Sequence, residues 1–573
     1  MREEQKMRVV EISGKIAERI IWVCFALMMV YLFLLSIFST CMVGVVPGED
    51  SKTFYIEDNF IVHALIIAGV LLIGGKLYHE IDRFLNKLLE KKYLFLAVYA
   101  IIGILFIIFT QMYPIADQRE LLYIVENMGK GDFSDFYPGG YMDTNPHQKG
   151  ILLYVYLFYL IFGSRAFLAF QVVNVLWMVL SIWVLGKIAK VLWEEKAGEG
   201  LEEKVILTAM LFLPAFFFIT YIYGNVPGNL LALVAIWLEI RFLKSGSIWK
   251  MIVSVFCIGL AVILKMNCLI MGIGMLLYAV GALRRKKFMF KTVGFCLLLI
   301  IAVAYGNKAV DLGMEKGFGV PAAEGVPMNA FIAMGLQDNA MGPGWWNSYT
   351  WDTYRDSGYD SELTAQKANK QIKRQIEILT EDPISGVRFF IKKFASGWNN
   401  PTYQGLDILV GRDGKNPAFW NDLALTKRGI VLHTYMNLYQ SLILAGCILY
   451  LWFYRKKLSE STLLLPVIIL GGCAFHMLWE MKSSYIMPYF FLMIPLAVIG
   501  YQNGFRAVYE YMEAGRTGRR ERMAMKKKVF LLCGAAVAVL LLSGISRTTL
   551  FEKTIGLNES EESYEELYYQ KFQ

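Results

Sequence analysis

The sequence predicts an all-α polytopic membrane protein with about 13 transmembrane helices and a mainly helical extracytoplasmic loop domain. Three observations carry this. Of 573 residues, 56% are hydrophobic and 18% charged, with a mean hydropathy of +0.45, too apolar for a soluble chain of several domains. Apolar runs recur at the length of a membrane span, roughly 20 residues for about 30 Å of hydrocarbon. The densest basic clusters, "RRKK" (284–287), "RKK" (455–457) and "RTGRRERMAMKKK" (516–528), each adjoin the end of such a run, as cytoplasmic anchors do.

In order, the spans read 20–46, 60–75, 93–113, 166–190, 205–222, 226–243, 250–264, 268–283, 290–306, 431–453, 461–479, 485–501 and 529–545. The first is too long for a signal-peptide core and lacks a convincing cleavage site, so it is read as retained. With the basic N-terminus inside, all three basic clusters fall inside. Two long connections, 114–165 and 307–430, and the acidic tail from 547 then fall outside. The apolar stretch "GILLYVYLFYLIFG" (150–163) is too short to span, and counting it would put "RRKK" outside, so it reads as a helix in the outer interface.

The net charge of +9 resides in those anchors, which excludes a nucleic-acid footprint. All eight cysteines lie in apolar runs, leaving no disulfide framework or thiolate metal cluster between spans.

The two outer connections therefore carry the function. The first opens with an amphipathic helix whose Leu121, Ile124, Val125 and Met128 repeat at helical spacing, and closes with the turn-rich "DFYPGGYMDTNPHQKG". The second holds "GPGWWNSYTWDTYRDSGYD", a clear helix over 361–383 and "WNNPTYQGLD"; its tryptophans argue against disorder.

Asp117 stands where a long apolar span meets the outer interface. One reading is a capping box with Glu120, satisfying free N–H groups for about 0.5–2 kcal/mol. Its depth favours chemistry as well, since ionisable groups at membrane level are functional candidates, and a helix N-terminus favours the carboxylate that accepts a proton.

Lys265, ending "MIVSVFCIGLAVILKMN", lies roughly 24 Å above Lys250, on the wrong side for a cytoplasmic anchor. It is either a snorkelling lysine or a cation that holds phosphate. In "HMLWEMKSSYIMPYF" (476–490), His476 and Glu480 are four apart, a weak metal spacing better read as a hydrogen-bonded pair. Lys482 and Tyr485 add a cation and a donor at that level, and His147 and Lys149 add polar groups that as readily belong to a solvated loop.

Phosphate at the outer interface belongs to a lipid. A carboxylate base, lysines for phosphate and an aromatic outer domain fit transfer of a sugar from a polyprenyl phosphate to an acceptor hydroxyl. Phosphate leaves readily, so one base and positive charge suffice.

At these residues the chain resembles the GT-C superfamily of membrane glycosyltransferases, in particular the protein O-mannosyltransferase-like group and the aminoarabinose transferases. Asp117, "KGD" (130–132), "NPHQKG", "LFYLIFG" with "SRAFLAFQVVN", "ILKMN" and "SYIMP" correspond to that family's first outer loop, interfacial helix, lysine motif and late proline element. The resemblance covers residues 93 to about 505 and implies a core of eleven helices preceded by two added ones.

It also implies that Asp117 is the base, that Lys265 binds the donor phosphate, and that the reaction inverts the anomeric centre. Three features depart from the pattern, one being that a proline pair expected before the interfacial helix is replaced by "NPHQ". Gln118 follows Asp117 where the family often has an acid, leaving Glu120 as a second one, and Ser484 replaces an arginine whose charge Lys482 is expected to supply. Glu120, His147, Lys149, His476, Glu480 and Tyr485 complete the candidate substrate-binding set.

The expected divisions are 1–92 (N-terminal segment and two extra helices), 93–306 (catalytic core), 307–430 (outer loop), 431–546 (C-terminal helices) and 547–573 (tail). The expected setting is the cell membrane, with the N-terminus cytoplasmic and the site extracytoplasmic. The expected partners are a polyprenyl-phosphate sugar and an acceptor that is a protein, teichoic acid, glycolipid or polysaccharide. No cofactor is firmly implied and no acidic metal cluster is visible, although the superfamily leaves room for a divalent cation. The rival reading is a lipid or polysaccharide transporter or flippase, against which stands the lack of a convincing internal repeat.

Overall fold

The computed structural model describes residues 2–44, 52–193, 200–285, 287–425, 427–456 and 458–517. The expected span 529–545 and the acidic tail lie outside these residues. The chain begins with α1 (Arg2–Phe38), a hairpin of β1 (Ser39–Gly44) and β2 (Lys52–Glu57), α2 (Phe60–Lys76), α3 (Tyr78–Leu89) and α4 (Lys92–Thr110). The first outer connection contains α5 (Asp117–Gly129), α6 (Tyr141–Thr144) and α7 (Lys149–Phe162). The helices α8 (Ala166–Trp193), α9 (Leu201–Met210), α10 (Leu213–Phe217), α11 (Asn225–Ser245), α12 (Ile248–Leu264), α13 (Leu269–Ala282) and α14 (Met289–Phe318) follow. The second outer connection folds into α15 (Met328–Gly335), α16 (Tyr349–Arg355), α17 (Ser361–Glu381), α18 (Pro383–Trp398) and α19 (Pro417–Leu425), and α20 (Ile430–Tyr454), α21 (Glu460–Leu478) and α22 (Ser483–Thr517) complete the described chain.

This is an all-α polytopic membrane protein. Among the described residues, eight helices are long and apolar enough to cross a bilayer, α9 and α10 form a further span bent by 64°, and 60–76, 248–264 and 266–282 are shorter apolar helices. Each expected span before 529 thus has a helical counterpart. The bend has a local cause. Pro214 opens α10 and cannot donate the backbone hydrogen bond that would continue α9. The most apolar 18-residue stretch of α22 is 83% buried and that of α14 only 17%, so α22 is central and α14 peripheral.

One expectation needs correction. The first apolar run does not stay helical to residue 46. Its helix stops at Phe38, and "STCMVG" pairs antiparallel with "KTFYIE", Ser39 opposite Glu57. The strand is favoured because it finds partners that a helix would forgo: Cys41 N–H donates to Asn399 O at 3.1 Å and Tyr55 hydroxyl to Lys392 O at 2.8 Å, binding the hairpin to the outer domain. In the second connection, expected to be mainly helical, α15, α16, α18 and α19 join the one helix that the sequence made plain. That helix, α17, begins as expected, with Asp360 accepting from Leu363 N–H at 2.8 Å.

The stretch 150–163 forms α7, which ends at Gly163, a left-handed position (φ +54°). Its first turn presses on the end of α12. A Cβ on Gly150 would lie 2.4 Å from the carbonyl oxygen of Ile263. In α5 the apolar stripe is fully buried, with Leu121, Ile124, Val125 and Met128 each 3% exposed or less. That anchoring leaves the polar start of α5 facing outward.

Candidate functional site

Asp117 does not cap α5. Ala116 occupies that position without a side-chain bond, and Asp117 is the first helical residue, so the expected capping box with Glu120 does not form. Ala116 instead adopts φ +49°, ψ −138°, a conformation suited to glycine. Such strain costs about 1–3 kcal/mol and persists only where surroundings over-determine it.

The surroundings do so. Arg412, buried in the outer domain, donates from Nε to Tyr113 O at 2.9 Å, from Nη2 to Met112 O and Thr220 O at 3.1 Å each, and from Nη1 to Thr220 Oγ1 at 3.0 Å. From inside the bundle, Gln171 of α8 donates to the same two carbonyls at 2.9 and 3.1 Å, and Asn174, one turn on, donates to Ile219 O and Tyr221 O. Backbone bonds Tyr113 N–H to Asp413 O and Lys415 N–H to Thr110 O, both 2.7 Å, complete the seam. Gln118 accepts from Ile222 N–H at 2.8 Å, so the start of α5 is bound to the unwound stretch after α10. The acid expected by resemblance at 118 is here a buried structural amide.

The stretch 221–224 delivers Tyr221 and Tyr223 beneath Asp117 and leads into α11. Gly224 and Gly228 lie against the end of α12: a Cβ on Gly224 would meet Leu264 O at 1.8 Å, and on either glycine would lie 3.1 Å from Lys265 Cβ. These close approaches hold Lys265 in the turn between α12 and α13. Its ammonium lies 4.4 Å from the Tyr223 ring centre and 5.0 Å from that of Tyr485, a pair of cation–π contacts. Lys482 approaches Tyr485 at 5.9 Å, in the turn between α21 and α22.

Asp117 faces this cluster. Tyr141 hydrogen-bonds it, and its charge acts on His147, Tyr221, Lys265, Glu480, Lys482 and Tyr485. Burial pushes the Lys265 ammonium down to about 8, with repulsion from Lys482 adding to the fall and Asp117 opposing it. Burial also disfavours charge on Lys482, but Tyr221, Asp117 and Glu480 outweigh it and hold Lys482 above its ordinary value. Burial raises Glu480, against the pull of Lys482 and Lys265. The exposed Asp117 is thus an accessible carboxylate opposite two half-buried cations.

The remaining candidates divide. His147 joins the cluster and packs edge-on to Phe331 at 6.4 Å. Lys149 does not: its buried ammonium is committed to Asp311 of α14 at 2.8 Å. Glu120 stands one turn beyond Asp117 on α5.

His476 and Glu480 do not share a helix face, because α21 stops at Leu478 and Trp479 is extended. His476 Nδ1 contacts the backbone carbonyl of Glu480 at 3.4 Å, while the Glu480 carboxylate accepts from Tyr485 hydroxyl at 3.5 Å. Among the described residues no group of three or more His, Cys, Asp or Glu gathers as a metal site.

The outer domain supports this turn directly. Lys393, fully buried, donates to Gly335 O and to Met477 O at 3.0 Å, and Met481 N–H donates to Gly344 O at 2.8 Å. Sequence reasoning passed over Arg412, Gln171 and Asn174. Their signal was polarity out of place, above all two amides three apart inside the apolar run "FLAFQVVNVLW".

The site thus sets an exposed carboxylate opposite paired cations on an α-helical membrane scaffold. Residues 151–305, about a quarter of the chain, match the family model described as dolichyl-phosphate-mannose-protein mannosyltransferase. That family is of the GT-C type, and the matched segment is similar to it. The matched segment contains Lys265; Asp117 and Lys482 lie on either side of it. No curated protein matches the chain.

Proposed function

We propose that the protein transfers a sugar from a polyprenyl-phosphate-linked donor to an acceptor hydroxyl on the extracytoplasmic face, with inversion at the anomeric carbon. The supporting observation is that Asp117 lies within electrostatic reach of both Lys265 and Lys482 around the Tyr485 ring.

Asp117 removes the proton from the acceptor hydroxyl as its oxygen bonds to the anomeric carbon. The bond from that carbon to the phosphate oxygen breaks on the opposite face, and the polyprenyl phosphate leaves with the electron pair. Lys265 and Lys482 neutralise the charge that grows on the departing oxygen, which in a site shielded from water is a large contribution to rate. His147 and Glu480 border the same space, and Tyr485 holds the two lysines at one level.

Incubation of the purified protein with a panel of polyprenyl-phosphate sugars tests this. Wild type is expected to consume one donor and release polyprenyl phosphate, and folded Asp117→Asn to bind that donor without consuming it. Transfer by Asp117→Asn at the wild-type rate would remove the base from the scheme.

A further inference from the structure

A small open-mouthed cavity between α11, α13 and α22 is lined by Lys265 and Tyr485, by Asn225 and Asn229 of α11, and by Asn267 in the turn before α13. Asn225 is 6% and Asn229 4% exposed, and Asn225 Oδ1, Asn229 Oδ1 and Asn267 Nδ2 are buried without a hydrogen-bond partner.

A buried amide atom without a partner is destabilising, and three at one cavity form a set that a ligand would satisfy. The local sequence explains how they converge. In "GNVPGN" (224–229) each glycine lets α12 approach, and the asparagine after it stands at the next position on α11, so one repeat seats Lys265 and orients two carboxamides into the space beside it.

The chemistry of the lining selects its occupant. A polyprenyl chain offers these amides no hydrogen bonds. Phosphate oxygens only accept, and they are already drawn to the lysines. Hydroxyl groups both donate and accept, as a carboxamide does when it turns over. Tyr485 and Tyr489, also in the wall, offer ring faces for the C–H side of a pyranose. The enclosed space is small, enough to admit hydroxyl groups reaching in from the mouth and not an oligosaccharide.

We propose that Asn225, Asn229 and Asn267 form the subsite that hydrogen-bonds the hydroxyl groups of the donor sugar, and so determine which sugar is taken. This rests on the donor class proposed above.

The test reads binding rather than turnover. Affinities for a polyprenyl-phosphate hexose and for sugar-free polyprenyl phosphate are measured on wild type, Asn229→Leu and Asn225→Leu, with thermal unfolding of each. Leucine replaces an unsatisfied amide with an apolar group of similar shape, so Tm is expected to hold or rise. The hexose donor is expected to bind about tenfold more weakly per lost hydrogen bond, with polyprenyl phosphate affinity unchanged.

Equal weakening of both ligands, no weakening of either, or a fall in Tm with unchanged sugar preference would overturn the proposal. A wild type that binds the hexose donor no more tightly than polyprenyl phosphate would also overturn it. Failure of the wider scheme looks different: there wild type binds or consumes no polyprenyl-phosphate sugar.

Discussion

Lys265 and Lys482 converge on the ring of Tyr485, at 5.0 and 5.9 Å, from two turns more than 200 residues apart in sequence. Two ammonium groups this close repel, and the cost is borne because the tyrosine face, Glu480 and Asp117 compensate. An anion arriving between them relieves that repulsion, which is why the pair suits a phosphate.

Removing either cation should therefore weaken the donor. Lys265→Met and Lys482→Met are each expected to raise donor KM about 10–100-fold, the value of a charge-assisted hydrogen bond of about 1.5–3 kcal/mol. The double variant is expected to lose less than the product of the two, since each single variant also relieves the repulsion. Exact multiplicativity, read from initial rates across donor concentrations, would mean that the lysines act at separate places.

The low value of Lys265 gives a pH signature with a definite sign. With the ammonium at about 8 rather than the ordinary 10.5, the cation is present below that pH and lost above it. Donor KM should be flat at neutral pH and climb as pH passes 8. Lys265→Arg, always charged, should abolish the climb. A climb that survives in the arginine variant assigns the titration to another group.

Asp117→Asn tests the base separately from binding. Loss of general-base catalysis is typically about 10²–10⁴-fold in kcat, and KM should change little. Loss confined to KM would instead make Asp117 a binding group.

Arg412 acts on the site without touching it. Arg412→Lys keeps the charge but loses the fork that reaches carbonyls of 112, 113 and 220. Several buried carbonyls are left unpaired at about 1–3 kcal/mol each, so a fall in unfolding temperature and a drop in kcat larger than any rise in KM are expected. Gln171→Leu removes the inner half of the same seam and should produce the same split, more weakly.

Gly224→Ala is expected to be worse than its size suggests. The added methyl would stand 1.8 Å from Leu264 O, so α11 and the end of α12 must separate and carry Lys265 with them. Donor binding should fall together with stability, whereas Gly294→Ala, where nothing stands within 4 Å of a Cβ, should be silent in both assays.

Much of the scaffold was legible because a bilayer forces backbone groups into helices and leaves the record in hydropathy. The stripe of Leu121, Ile124, Val125 and Met128 revealed α5 by the same logic. What could not be read was how individual polar groups are used. Lys149 and Lys265 look alike in sequence, yet one is consumed by Asp311 and the other is held free of carboxylate contact by two aromatic rings. Asp117 was singled out by depth, but the dependence of the segment before it on Arg412, 299 positions beyond Tyr113, could not be read. His476 and Glu480 do meet, but through the Glu480 backbone carbonyl rather than along a helix face, because the helix ends at Leu478.

That dependence has a consequence for biogenesis. The guanidinium that braces Met112 and Tyr113 lies 300 and 299 positions downstream of them. A ribosome feeding the chain into the membrane will have delivered the eighteen helices α1–α18 before Arg412 emerges. Until then the carbonyls of Met112 and Tyr113 lack the guanidinium that braces them. The brace ahead of α5 is therefore among the last parts of the fold to close.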